Sequence, residues 1–106
     1  MKKQILLFTF LFSFTAMAQW ELVSEYTGNA MAVVNEDKVF VAHEDGIIYS
    51  TSDGGETWSS YQVEGFADSY SWFNDIYFPT ENVGYACGGS YFGSIHRFII
   101  KTTDGG

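Results

Sequence analysis

The side chains of this chain that are chemically versatile are thirteen carboxylates, two histidines and one cysteine. Zinc needs Cys, His or carboxylate ligands at short, regular intervals, and His43 and His96 have no such neighbours. No Asp-x-Asp-x-Asp-Gly calcium loop is present. Cys87 is alone, so no intrachain disulfide framework exists; it lies in the run Val83 to Gly88, which reads as a buried strand with Cys87 as a small apolar filler. No metal, cofactor or catalytic residue is expected. What remains is hydrogen-bond chemistry in Thr51-Ser52-Asp53-Gly54-Gly55-Glu56-Thr57-Trp58. Asp53 can accept bonds from backbone N–H groups just downstream and so cap a turn from within. Gly54 and Gly55 supply the positive φ angles a tight hairpin requires. Ile47 to Thr51 is rich in β-branched residues and reads as a strand. Thr57 restarts extended structure, and Trp58 is an apolar plate that anchors the returning strand.

The spacing [Ser/Thr]-x-Asp-x-Gly-x-Thr-Trp resembles the Asp-box, or bacterial neuraminidase repeat. Thr51, Asp53, Gly55, Thr57 and Trp58 fill its fixed positions, and Thr102, Asp104 and Gly106 begin a second copy. The resemblance implies the turn between the third and fourth strands of a β-propeller blade, with Asp53 as a structural residue. A narrower similarity covers Asp75 to Phe78, Asn82 to Gly89 and Ile99 to Gly106. These runs look like the blade unit of photosystem II stability and assembly factor-like proteins, which implies the same fold and a protein-binding character.

The elements that must hold these turns are strands. Met1-Lys2-Lys3, the apolar run Ile5 to Phe14 and Ala16-Met17-Ala18 read as a secretory signal peptide over residues 1–18, too short in its apolar part to span a membrane. Cleavage would leave 88 residues, one small domain at most. Three basic residues then face thirteen acidic ones. That balance argues against nucleic acid and anionic lipid as partners. The remainder lacks a helical period and alternates short strand-like runs with Gly, Asp, Asn and Ser turns, so the fold class is all-β.

Superposing the two boxes exposes an internal repeat. Lys38–Ala42 lies over Val83–Cys87, Ile47–Thr51 over Phe98–Thr102, Ala30–Val34 over Asn74–Phe78, and Trp20–Val23 over Trp58–Tyr61. The organisation expected is a β-propeller fragment in residues 19–106. A ring-closing strand occupies 19–28, a first blade 29–63 with its box at 51–58, and an incomplete second blade 64–106 with its box at 102–106. Because the second box stops at Gly106, the chain reads as the N-terminal part of a longer propeller, with sheet faces and edges left uncovered.

Trp20 and Thr51 are 31 positions apart, whereas Trp58 and Thr102 are 44 apart, so the second repeat carries 13 more residues. The alignment places them around Gly65–Phe73 and Gly89–Arg97, on two loops of one rim. There they would gather Phe66, Tyr70, Trp72, Phe73, Tyr91, Phe92, His96 and Arg97. Such a rim suits a protein or carbohydrate partner, or the rings pack on each other. The function expected is an exported, non-enzymatic binding or assembly scaffold, extracellular, periplasmic or at the cell surface. The alternative is a glycoside hydrolase of the sialidase or xyloglucanase type, since these also carry Asp-boxes. A sialidase needs several arginines and this chain has only Arg97; a two-carboxylate mechanism would draw on Asp68 or Asp75, neither with an identified partner.

Overall fold

The computed structural model describes residues 19–26, 28–65, 70–91 and 93–106. Among them the chain is all-β, in two antiparallel sheets. The first is a four-stranded meander of β1 (Ala30–Val33), β2 (Val39–Ala42), β3 (Ile47–Thr51) and β4 (Ser59–Gln62). A single 3₁₀ turn, Glu44–Gly46, joins β2 to β3. The second sheet is three-stranded, of β5 (Tyr70–Tyr77), β6 (Gly84–Tyr91) and β7 (Ile95–Thr102).

Side-chain oxygens wire the turns. Between β1 and β2, Asn35 Oδ1 accepts from the N–H groups of Asp37 and Lys38, both at 2.9 Å. The matching turn between β5 and β6 uses Thr80 Oγ1, which accepts from Val83 N–H at 3.0 Å. Between β2 and β3 the chain reverses through Asp45 (φ 63°) and Gly46 (φ 71°), where a short polar residue and a glycine tolerate the left-handed region.

Pairing registers show how the two sheets correspond. Thr51 pairs with Val39 and Thr102 with Gly84, so β2 and β3 superpose on β6 and β7 as the sequence repeat has them. The first strands differ. Met31 pairs with Val41 and Ile76 with Ala86, so Ala30 corresponds to Asp75 rather than Asn74. The β5–β6 pairing shifts between Phe73 and Asp75, and a residue skipped there is invisible to alignment by residue type.

Strand alternation gives each sheet two faces. In the first sheet the front carries Ala32, Phe40, Ala42, Ile48 and Ser50, and the back Met31, Val33, Val39, Val41 and Tyr49. In the second, the corresponding front is Tyr77, Tyr85, Cys87, Ile99 and Lys101, and the back Ile76, Phe78, Ala86 and Ile100. The front of the first sheet packs on the back of the second. Ala32, Phe40 and Ala42 share one buried core with Phe73, Ile76 and Ala86, closed by Val63. Phe40 and Phe78 stack across the junction with centroids 4.3 Å apart. Burying a ring of that size stabilises by about 1.5–3 kcal/mol. The two sheets therefore meet head to tail, through different faces.

Residues 19–26 do not form the strand expected over 19–28; they run irregularly across the back of the first sheet. The segment is held by side chains on a face rather than by backbone bonds along an edge. Tyr26 stacks on Tyr49 at 4.1 Å and meets Trp58 edge-on at 5.9 Å. Trp58 Nε1 donates to Val23 O at 3.4 Å. The expected signal peptide, residues 1–18, lies outside the described residues. No helix among the described residues is long and apolar enough to cross a membrane.

Candidate functional site

The turn from β3 to β4 is organised by two side chains. Thr51, 2% exposed, donates from Oγ1 to Asp53 Oδ1 at 2.8 Å and accepts from Gly55 N–H at 2.9 Å. Asp53 also accepts from Thr57, from its N–H at 2.9 Å and from its hydroxyl. Trp58 Nε1 donates to Gly55 O at 3.0 Å, folding the indole back over the turn. Gly54 and Gly55 have φ of 70° and 96°. Hydrogen bonds from the Thr57 hydroxyl, the Thr57 N–H and the Thr51 hydroxyl, in that order, pull the Asp53 carboxyl down from 3.8 to about 2. A carboxylate so engaged favours its charged form, and its hydrogen bonds fasten the exposed hairpin.

The second copy repeats this wiring as far as Gly106. Thr102 Oγ1 donates to Asp104 Oδ1 at 2.7 Å and accepts from Gly106 N–H at 2.9 Å. Each turn is also tied to the first hairpin of its own sheet, by Gly54 N–H to Asp37 O at 2.9 Å and Gly105 N–H to Asn82 O at 2.8 Å. Each lies against a large residue packed on its sheet's back face. A Cβ built on Gly106 would lie 2.7 Å from Phe40 Cε1, and one on Gly55 would lie 2.9 Å from Val23 Cβ. Val23 in the N-terminal segment thus meets the first sheet as Phe40 meets the second.

The second repeat's extra residues were expected as two rim loops; of these stretches, Tyr70–Phe73, Gly89–Tyr91 and Ile95–Arg97 belong to strands instead. Where the first sheet turns after Ala42, the second continues through Tyr70–Phe73, Gly88–Tyr91 and Ile95–Phe98 as a three-stranded arm. Gly88 and Gly89 make this pairing feasible. A Cβ on Gly88 would lie 2.0 Å from the Trp72 carbonyl oxygen, and one on Gly89 would lie 2.4 Å from Trp72 Cζ2. The Trp72 indole therefore rests directly on the Gly89 backbone. Gly-Gly-Ser reads as a loop by composition, which is why the strands escaped the sequence.

On the arm, Tyr70, Trp72, Tyr91, Ile95 and Arg97 share the front face, with Tyr70 opposite Tyr91, Tyr91 opposite Ile95 and Gly89 opposite Arg97. Phe73 and His96 are on the back. Phe73 is 1% exposed, meets Phe98 edge-on at 5.6 Å and belongs to the core. His96 Nε2 is 3.0 Å from Ser94 Oγ. Phe66, Phe92 and Asp68 lie outside the described residues. The sequence reading missed Tyr77, Tyr85, Ile95 and Ile99. All six large apolar residues that the second sheet exposes are on its front: these four with Tyr70 and Tyr91. The signal was available in the period-two run Ile95, Arg97, Ile99, Lys101. Lys101 Nζ lies 5.5 Å from the Tyr85 ring centroid on the same face.

Among the described residues no cluster of His, Cys, Asp or Glu is arranged to hold a metal ion. Asp75 accepts the Ile76 N–H on Oδ1 at 2.9 Å. Cys87 is half-buried on β6. A cavity of about 570 Å³ opens between the outer parts of the two sheets, lined by Ile48, Tyr61, Val63, Ile76, Ile100 and Gly106 among others. Comparison with family models, curated proteins and solved structures finds no match to this chain.

Proposed function

We propose that this chain is an exported, non-enzymatic scaffold built of β-propeller blades with Asp-box turns, and that its protruding arm binds a protein partner. Three observations support the blade reading: a four-stranded meander, two sheets of one register stacked front to back, and the same Thr–Asp–Gly wiring at both turns. The observation that carries the binding role is the arm's front face. It has no counterpart in the first sheet, and it displays Tyr70, Tyr91 and Ile95 to solvent beside Trp72 and Arg97. Exposed aromatic and guanidinium groups on rigid strands are the composition of a protein-binding hot spot, since little side-chain entropy is lost on contact.

The test is Trp72→Ala and Tyr91→Ala in the secreted protein. Partners are captured by crosslinking at the cell surface and affinity is then measured with the purified partner. Binding lost with an unchanged melting temperature supports the site. A large fall in melting temperature with binding retained assigns the rings to packing. Binding of the parent protein to a glycan array, lost in both variants, transfers the site to carbohydrate.

A further inference from the structure

We propose, resting on the exported reading above, that cleavage after Ala18 makes Gln19 the first residue of the mature chain and that Gln19 closes on itself to pyroglutamate. The product is a neutral cap that shields the N-terminal segment from trimming. Ala16 and Ala18 put small residues on either side of Met17 just before the cut, so the residue set free is Gln19. Its α-amine attacks Cδ of its own side-chain amide. A C–N bond forms and closes a lactam ring, the bond from Cδ to the amide nitrogen breaks, and ammonia leaves with the proton that the amine gives up. No redox partner or second substrate enters the step.

The fold leaves the two reacting groups free to meet. Gln19 is exposed, and Trp20 is 99% exposed. Neither belongs to a strand, so no ladder of backbone hydrogen bonds holds the chain extended and the amine away from the amide. Attachment to the first sheet begins further on. Val23 O accepts from Trp58 Nε1 at 3.4 Å, and the Val23 side chain lies against Gly55. Tyr26 stacks on Tyr49 at 4.1 Å.

What the cap protects follows from that order. Residues 19–22 are all exposed and form a handle that an aminopeptidase can grip by its free amine. Trimming a few residues further takes Val23 and Tyr26, and with them the contacts that hold the segment against Gly55, Trp58 and Tyr49. A lactam has no α-amine, so trimming cannot start. The cap also removes the positive charge that a free α-amine, titrating near about 8, carries at neutral pH.

The experiment is mass spectrometry of the freshly secreted protein and of its N-terminal tryptic peptide, Gln19–Lys38, for the parent and for Gln19→Asn. The asparagine amide is one carbon too short to close a stable ring, and position 19 is exposed, so folding, monitored by circular dichroism, is expected to be retained. The parent peptide is expected to be lighter than Gln19–Lys38 by one ammonia and closed to N-terminal sequencing, whereas the variant keeps its amine. Incubation with an aminopeptidase is expected to leave the parent intact and to shorten the variant past Tyr26, with a fall in its melting temperature. A mature parent chain that begins at Gln19 and keeps its ammonia overturns the inference while leaving export standing. A variant as resistant to the aminopeptidase as the parent overturns the protective role. A product that still begins at Met1 overturns the exported reading and the inference with it.

Discussion

Replacing Thr51 with Val removes one hydroxyl and keeps the shape of a β-branched residue at the end of β3. That hydroxyl accepts the Gly55 N–H at 2.9 Å and donates to Asp53 at 2.8 Å. Thr51 and Gly55 are both buried, so water does not reach the orphaned N–H easily. An unmet buried donor costs about 1–3 kcal/mol. In a domain of this size each kcal/mol lowers the melting temperature by about 4–8 °C. A cost near 2 kcal/mol therefore predicts a fall of roughly 8–16 °C. Thr102→Val is the internal control. Its hydroxyl makes the same bonds at 2.7 and 2.9 Å, but Gly106 is exposed and water can replace the lost acceptor. The second change should cost less than about 1 kcal/mol. Thr51→Ser, which keeps the oxygen, should recover most of the loss. Differential scanning calorimetry and urea unfolding at constant m give the values. If Thr51→Val melts with the parent, or Thr102→Val costs as much, the turn is not held by its buried threonine and the reasoning fails.

The Asp53 carboxyl is lowered to about 2 in the folded chain, so its contribution is fully present above about pH 4 and disappears as pH falls from 3.8 towards 2. Urea midpoints between pH 6 and pH 2 should fall more steeply for the parent than for Asp53→Asn, and parallel curves would remove Asp53 from the argument. Gly88→Ala should prevent β5 from pairing with β6, because the new methyl meets backbone at 2.0 Å; Gly89→Ala meets a movable indole and should cost about 1–3 kcal/mol, read by urea unfolding. A Gly88→Ala chain as stable as Gly89→Ala would contradict the pairing. Phe40→Ala leaves a cavity at the junction of the sheets and should cost about 3–5 kcal/mol, a large share of a small domain's stability, whereas Met31→Ala on the exposed back should cost under 1 kcal/mol.

Local chemistry made part of this structure legible. The strand ending at Thr51, its hairpin through Asp53 to Gly55 and the return to Ser59 depend on residues within eight positions, so residue type and spacing carry them. The arm was not legible, because Gly88 and Gly89 are needed in the strand where the Trp72 carbonyl and the Trp72 indole, respectively, lie against them, contacts sixteen or more residues away. The irregular course of 19–26 was hidden for a related reason. Trp20–Val23 has the composition of a fourth strand, but composition does not say whether a free edge lies within reach. Of the rim residues, Tyr70, Trp72, Tyr91 and Arg97 do share one face, while Phe73 and His96 went to the other. Strand alternation separates neighbours in sequence that a loop would have left together.

The head-to-tail contact has consequences that a symmetric one would lack. If the two sheets met front to front, both would bury the same kind of face and the stack would end at two. Here the first sheet contributes small residues, Ala32 and Ala42, around one ring, Phe40, and the second contributes Ile76, Phe78 and Ile100 from its other side. Each sheet therefore keeps a face of the opposite kind that this junction does not bury, that of the first sheet partly crossed by residues 19–26. The second still offers Tyr77, Tyr85 and Ile99 where the first offered Ala32, Phe40 and Ile48; the first still offers Met31 and Val33 where the second offered Ile76 and Phe78. A heterologous contact of this kind repeats until rotation closes it into a ring or it grows open-ended. The larger front-face residues of the second sheet, Tyr77 for Ala32 and Tyr85 for Phe40, mean that its neighbour must stand further off or present smaller groups. Met31, Val33 and Val41 on the back of the first sheet are smaller than the Phe78 that fills the existing junction, so exchange of bulk between the two faces keeps the spacing feasible.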